Sequence, residues 1–165
     1  MDLAAVVKAA CDQLEGDIRE ARAEIVVEGE LGMARGHATT LVQVVANLIS
    51  NAVKFTPVAR RPRVRVRTED GIPFVRLWVE DDGIGVPAGQ EDRIFRVFER
   101  LTESGGRPGT GIGLAIVRRG MERIGGHAGV SVEPGREGSA FWVDIPRAEG
   151  AGARRGWPRR KRDGT

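Results

Sequence analysis

Apolar residues Leu3, Val6, Val7, Ala10 and Leu14 recur at the spacing of one helix face, and Asp2 stands where an N-cap belongs. They predict an opening helix, with Cys11 on its core side. Ile25-Val-Val27 reads as a short strand. Thr39 or Thr40 then opens a long helix through Phe55, with Leu41, Val45, Leu48 and Ala52 as its apolar stripe. Pro57 ends it, because the residue before a proline avoids helical backbone. From Arg63 the period changes to two. Val64 and Val66 alternate with Arg63, Arg65 and Arg67, and Val75, Leu77 and Val79 alternate with Arg76, Trp78 and Glu80. That predicts two antiparallel strands joined around residues 69–73, with the arginines on the wet face of a sheet. A last helix runs from about Gly111 to Ile124 and ends at Gly125-Gly126. Val130 and Val132, then Phe141, Val143 and Ile145, give two more strands around Pro134-Gly135. Five strands and three main helices, without regular βαβ alternation, predict an α/β (α+β) two-layer sandwich. Its sheet is mixed and mainly antiparallel, with the helices on one face.

Length and composition fit one such unit. A chain of 165 residues is long enough to bury roughly two thirds of its unfolded surface in a single core. The lone Cys11 forms no intrachain disulfide, and no apolar run approaches the roughly 18 residues of a membrane span. Met1-Asp2 opens no secretory signal, so the expected compartment is cytoplasmic, without membrane insertion. The charge is unevenly placed. Residues 147–165 carry seven Arg and Lys against Glu149 and Asp163, a net +5, so the overall +3 leaves −2 for residues 1–146. We therefore expect a folded domain over 1–146 and a disordered basic tail over 147–165, with too few apolar groups to offset the entropy of ordering. A run such as Arg159-Arg-Lys-Arg162 suits nucleic acid or acidic lipid in principle. The expectation is a solvated end and no nucleic-acid partner.

Chemistry-bearing residues cluster in four segments. On the long helix, Asn47, Asn51 and Lys54 share one face, since four and seven residues are close to one and two turns. Two amides and an ammonium projecting together suit a metal–phosphate ligand, although an exposed polar face has the same pattern. Asp81 follows a strand and precedes Gly83-Ile-Gly85. A carboxylate there can accept the amino hydrogens of a flat heterocycle, while glycines let backbone approach the ring. A plain Asp-Gly turn is the alternative. Gly109-Thr-Gly111-Ile-Gly113-Leu114 stands at a helix entry, where free N–H groups and the helix dipole bind phosphate. No Gly-Lys-Ser/Thr follows, so it is not a P-loop, and its spacing is not that of a dinucleotide fold. Between these lies Arg93-Ile-Phe95-Arg-Val-Phe98-Glu-Arg100, then a polar glycine-bearing stretch ending in Arg107-Pro108.

In this order and with these gaps, the four segments resemble the N, G1, F and G2 boxes of the ATP-binding domain of bacterial sensor histidine kinases. That domain belongs to the superfamily shared with DNA gyrase, the ninety-kilodalton heat-shock chaperone and the mismatch-repair protein MutL. The resemblance covers about Asp2 to Pro146 and implies a Bergerat-type ATP-binding fold with ATP and Mg²⁺ as cofactors. It implies that Asn51 ligates the metal, Lys54 meets phosphate charge and Asp81 contacts adenine. Asn47, Asn51 and Lys54 form the implied catalytic set. The implied nucleotide site adds Gly83, Gly85, Phe95, Phe98, Arg100, Gly109, Thr110, Gly111, Ile112, Gly113 and Leu114. Phe95 and Phe98 anchor the root of an ATP lid in this reading, and Arg107 either reaches phosphate or stays solvated. Gly138-Ser139-Ala-Phe141 resembles the G3 turn, with Ser139 where threonine is usual. Asp82 stands where the family often has asparagine.

One position discriminates within the superfamily. Branches that hydrolyse ATP carry a glutamate four residues before the metal-binding asparagine, and this chain has Asn47 there, whose amide cannot serve as a general base. The resemblance thus implies phosphoryl transfer to a histidine on a separate dimerisation domain, and from there to a response regulator. His37 and His127 match no acceptor motif, so the chain reads as the nucleotide-binding half of a kinase, a fragment or a stand-alone protein, monomeric in isolation. A non-catalytic nucleotide-gated module and an anti-sigma-factor-type kinase remain alternatives; the latter typically has glutamate in place of Asn47.

Overall fold

The computed structural model describes residues 1–87, 89–96, 113–132 and 137–149. Its first helix, α1, spans Leu3–Gln13, and the Asp2 carboxylate accepts the Ala4 N–H at 3.0 Å as the expected N-cap. Leu3, Val6, Val7 and Ala10 are buried along it. Leu14 ends α1, and the chain enters a second helix that periodicity did not predict, α2 at Glu15–Ala21. No residue of α2 is buried, which is why it leaves no core stripe to read. Arg22, at φ 54, closes it in the left-handed region.

Helix α3 spans Ala38–Lys54 and begins slightly before Thr39. The Leu41 N–H already donates to the His37 carbonyl at 3.0 Å, so His37 occupies the N-cap position, with Nδ1 3.4 Å from Thr40 Oγ1. At the other end Phe55 is the C-cap, and the wholly buried Thr56 hydroxyl donates to the Ala52 carbonyl at 3.0 Å before Pro57 breaks the helix. Helix α3 packs against both α1 and the last helix, α4, at Gly113–Arg123.

The strands β1 (Glu24–Val27), β2 (Arg63–Asp70), β3 (Phe74–Asp81), β4 (His127–Ser131) and β5 (Ser139–Pro146) form one sheet in the order β1-β2-β3-β5-β4. Only the β1–β2 pairing is parallel, so the sheet is mixed and mainly antiparallel. β4 starts earlier than the Val130–Val132 alternation predicts, because Ala128 and Gly129 pair with Val143 and Trp142 through backbone alone. Val132 falls beyond it. Chain continues past Pro146: the Arg147 N–H reaches the Pro73 carbonyl at 2.9 Å and its guanidinium the Gly71 carbonyl at 3.1 Å.

Alternation sorts the sheet into two faces. Val64, Val66, Val75, Leu77, Val79, Phe141, Val143 and Ile145 join the core shared with α1, α3 and α4. The opposite face carries the predicted arginines, but they are tied down. Arg65 and Arg67 both bond Glu80, which is only 4% exposed. Arg76 is bidentate to Asp144 at 2.6 and 2.8 Å and stacks on the Trp142 ring at 3.9 Å, while Arg67 lies over Trp78 at 5.1 Å. These cations and indoles cover one another where no helix layer does.

Candidate functional site

Helix α3 holds Asn47, Asn51 and Lys54 on a half-buried face, as the spacing predicts. The Asn47 amide nitrogen donates to the Gln43 carbonyl one turn back at 2.9 Å, which fixes the amide and turns its oxygen away from the helix backbone. That oxygen faces α4. A Cβ added to Gly113 would stand 3.1 Å from Asn47 Oδ1 and 3.6 Å from both polar atoms of the Asn51 amide. The first described residue of α4 therefore abuts the two asparagines. Leu114 is buried behind this contact.

Asp81 ends β3 and is 6% exposed, with Oδ1 accepting the Gly83 N–H at 2.9 Å. The turn that follows rests on the end of α3. The Ile84 N–H donates to the Phe55 carbonyl at 3.2 Å, and a Cβ on Gly83 would come within 2.7 Å of the same carbonyl oxygen. Glycine is required there by close approach. Gly85 (φ +77) and Gly138 (φ +80) need it for a second reason, since L side chains rarely adopt those angles. They also interlock: a Cβ on Gly85 would lie 2.9 Å from the Gly138 carbonyl oxygen, and one on Gly138 would overlap the Asp81 carbonyl oxygen. Ser139, 4% exposed, is paired with Asp81 across β3 and β5. The end of α3, the Asp81–Gly85 turn and the Gly138–Ser139 turn thus meet through backbone contacts around the ends of α3, β3 and β5.

Phe95 sits in a 3₁₀ turn at Arg93–Phe95, 3% exposed and edge-on to Phe141 at 6.2 Å. Arg118 of α4 covers it at 4.7 Å and reaches Asp92 at 3.4 Å. Phe98, Arg100, Arg107, Gly109, Thr110, Gly111 and Ile112 lie outside the described residues. Three contributors were not found from sequence. The Phe55 carbonyl has no side-chain signal, Arg118 looks like any helix-surface arginine, and Arg60 donates to the Asp82 carbonyl at 2.6 Å from a distant loop. Asp82 Oδ1 is itself buried without a hydrogen-bond partner.

A family model described as the histidine kinase-, DNA gyrase B- and HSP90-like ATPase matches residues 36–149, which include all four boxes. The chain belongs to this ATPase family. Sensor histidine kinase AruS of Pseudomonas aeruginosa is 45% identical over 121 residues, covering 67% of this chain and 11% of that protein. The chain thus spans about a tenth of the length of that relative. Among solved structures, the mycobacterial sensor histidine kinase MprB superposes with a TM-score of 0.74 at 27% identity, covering 88% of this chain and 96% of that one. Full-length ShkA in complex with AMPPNP gives 0.72 at 30% identity, covering 88% and 30%. The expected five-stranded sheet with helices on one face is the fold of these domains. The relatives and solved structures it resembles are sensor histidine kinases, and among its described residues no helix is long and apolar enough to cross a membrane.

Proposed function

We propose that this domain binds Mg²⁺–ATP and donates the γ-phosphoryl group to a histidine on a separate dimerisation domain, from which a response regulator takes it. The observation that carries the reading is the convergence of Asn47, Asn51 and the start of α4, with no carboxylate at position 47. An amide held by the Gln43 carbonyl can orient a ligand but cannot take a proton from water. The pair therefore suits transfer to a protein acceptor better than hydrolysis.

The residues present fit the nucleotide and its metal. Mg²⁺ prefers few protein ligands alongside phosphate oxygens and water, and the half-buried Asn51 amide beside a helix N-terminus offers one such ligand. Bound metal would neutralise charge developing on the phosphates. Lys54 adds a positive charge one turn along, the entry to α4 offers backbone N–H groups to anionic oxygens, and Asp81 accepts from the adenine amino group. Gly83 and Gly85 keep the ring's approach clear of Cβ atoms. The AMPPNP complex of ShkA supports a nucleotide in such a site. We assign the Phe95 turn, with Phe98, Arg100 and residues 109–112, to the nucleotide side of the domain. The domain works in the cytoplasm and is monomeric in isolation, and the charged tail is not needed for nucleotide binding.

Incubation with labelled ATP, alone and with the matching dimerisation segment, tests the reading. Acid-labile label on the segment only is the expected result. Label on the isolated chain would make His37 or His127 an acceptor, and tight nucleotide binding without transfer to the correct segment would favour the non-catalytic module.

A further inference from the structure

A cavity of about 670 Å³ opens between α2, the C-terminal half of α3 and residues 58–61. Its floor is apolar. Leu14, Ile18 and Ala21 recur at helical spacing and are half-buried, Leu14 and Ala21 partly packed against the core. The buried Val53 and the 69% exposed Val58 line it as well. Four cations line the cavity, Lys54, Arg60 and Arg61 on the α3 side and Arg22 at the end of α2, and among the described residues none pairs with a carboxylate. Two of these guanidinium groups are held in place by backbone, Arg60 on the Asp82 carbonyl at 2.6 Å and Arg61 on the Arg22 carbonyl at 2.7 Å.

We infer that this cavity is a docking site for an amphipathic helix of a partner protein, one whose apolar face is flanked by Asp and Glu. Half-buried apolar side chains at helical spacing beside the exposed Val58 form the kind of apolar floor on which helix-in-groove recognition seats its anchor residues. Four cations without carboxylate partners set the charge of the occupant, and guanidinium groups already held by carbonyls lose little further freedom on pairing. Asp17 and Glu20 lie on the α2 side. The acidic flank of the occupant is therefore turned towards α3 and residues 60–61, which fixes its orientation. The basic tail of this chain is the wrong sign for that wall. A lipid surface fits a projecting cationic face better than a cavity with an apolar floor.

The place of the cavity gives docking a consequence. Lys54 belongs both to its wall and to the asparagine face, and Arg60 ties its outer loop to the residue after Asp81. A helix seated there lies beside the phosphate end of the nucleotide site. Docking itself requires no nucleotide, so it stands or falls separately from the transfer reaction.

The test is calorimetry of the full chain with a synthetic amphipathic helix bearing leucine anchors and glutamate flanks, with a lysine-flanked counterpart of equal helicity and with phosphatidylglycerol vesicles. ATP affinity is measured on the same samples. Saturable binding of the glutamate peptide is expected, weaker by about tenfold or more for the lysine peptide and for Val58→Asp, and comparably weaker for Arg61→Glu. Both substituted residues are exposed, and circular dichroism confirms that the variants fold. Equal binding of the two peptides, no effect of Val58→Asp, or vesicle binding with the same residue dependence in place of peptide binding would each overturn the proposal. Peptide binding by a chain that fails to bind ATP would support docking and remove the nucleotide reading instead.

Discussion

Replacing Asp81 by asparagine removes one negative charge and leaves the shape of the side chain intact. In the folded chain Oδ1 accepts the Gly83 N–H at 2.9 Å, and an asparagine oxygen can keep that bond. The substitution therefore spares the turn that rests on Phe55. What changes is the second carboxylate atom, which becomes an N–H₂; on the proposed reading that atom is the acceptor for the amino hydrogens of adenine. At 6% exposure little water can compensate. A hydrogen bond to a charged group contributes about 1.5–3 kcal/mol, and each 1.4 kcal/mol is about a factor of ten in affinity. Asp81→Asn should then weaken ATP binding by roughly ten- to a hundredfold, while the melting temperature moves by only about 2 °C, since the Gly83 bond survives. Calorimetry at fixed Mg²⁺ and a thermal melt give the two numbers. Asp81→Ala is the companion, because it loses the Gly83 bond as well and should lower both affinity and melting temperature. Wild-type affinity in Asp81→Asn would remove Asp81 from the nucleotide site. Parallel loss of affinity and melting temperature in the asparagine variant would reduce its role to holding the turn.

Gly138→Ala should lower the melting temperature by about 5 °C or more and weaken ATP binding at least tenfold, read by thermal melt and calorimetry, because the new Cβ overlaps the Asp81 carbonyl at a φ of +80. Glu80→Gln should cost about 1–3 kcal/mol in denaturant unfolding without changing ATP affinity. It leaves Arg65 and Arg67 without their shared anion, though their partial exposure softens the loss. A chain ended after Glu149 should keep its melting temperature within about 2 °C and its ATP affinity within about twofold, as expected for surface changes outside a core. A larger drop would show that residues 150–165 dock on the domain.

How much of this was legible in the sequence depended on whether an element buries a face. Helices α1 and α3 bury stripes of apolar residues, and β2 and β3 alternate, so their periods were visible. Helix α2 buries no residue, and only Ile18 and Ala21 of the stripe that starts at Leu14 fall within its seven residues, too short a period to separate it from a loop. The onset of β4 escaped for a related reason. Ala128 and Gly129 carry no apolar period, and Gly129 is small because the Trp142 ring lies over it. The outer sheet face was legible as a face but not as a stacked layer. Alternation says which side Arg67, Arg76, Trp78 and Trp142 share, whereas stacking depends on register between strands.

The candidate site divided in the same way. That Asn47, Asn51 and Lys54 share one side of α3 follows from the geometry of a helix, and the sequence showed it. Which parts of the chain meet that helix does not follow from local pattern. The Phe55 carbonyl meets Gly83, Asn47 meets Gly113, and Asp81 meets Gly138, all between residues far apart in the chain. In each pair a glycine stands where a Cβ would crowd a backbone or amide oxygen. Spacing marked those glycines without saying what they approach. The contacts also make α3 common to both halves of the site, with its C-cap under the Asp81–Gly85 turn and its asparagines against α4. A displacement of α3 along its axis would then be felt at the Asp81–Gly85 turn and at the start of α4 together, whereas a change confined to Ser139 or Phe95 would not.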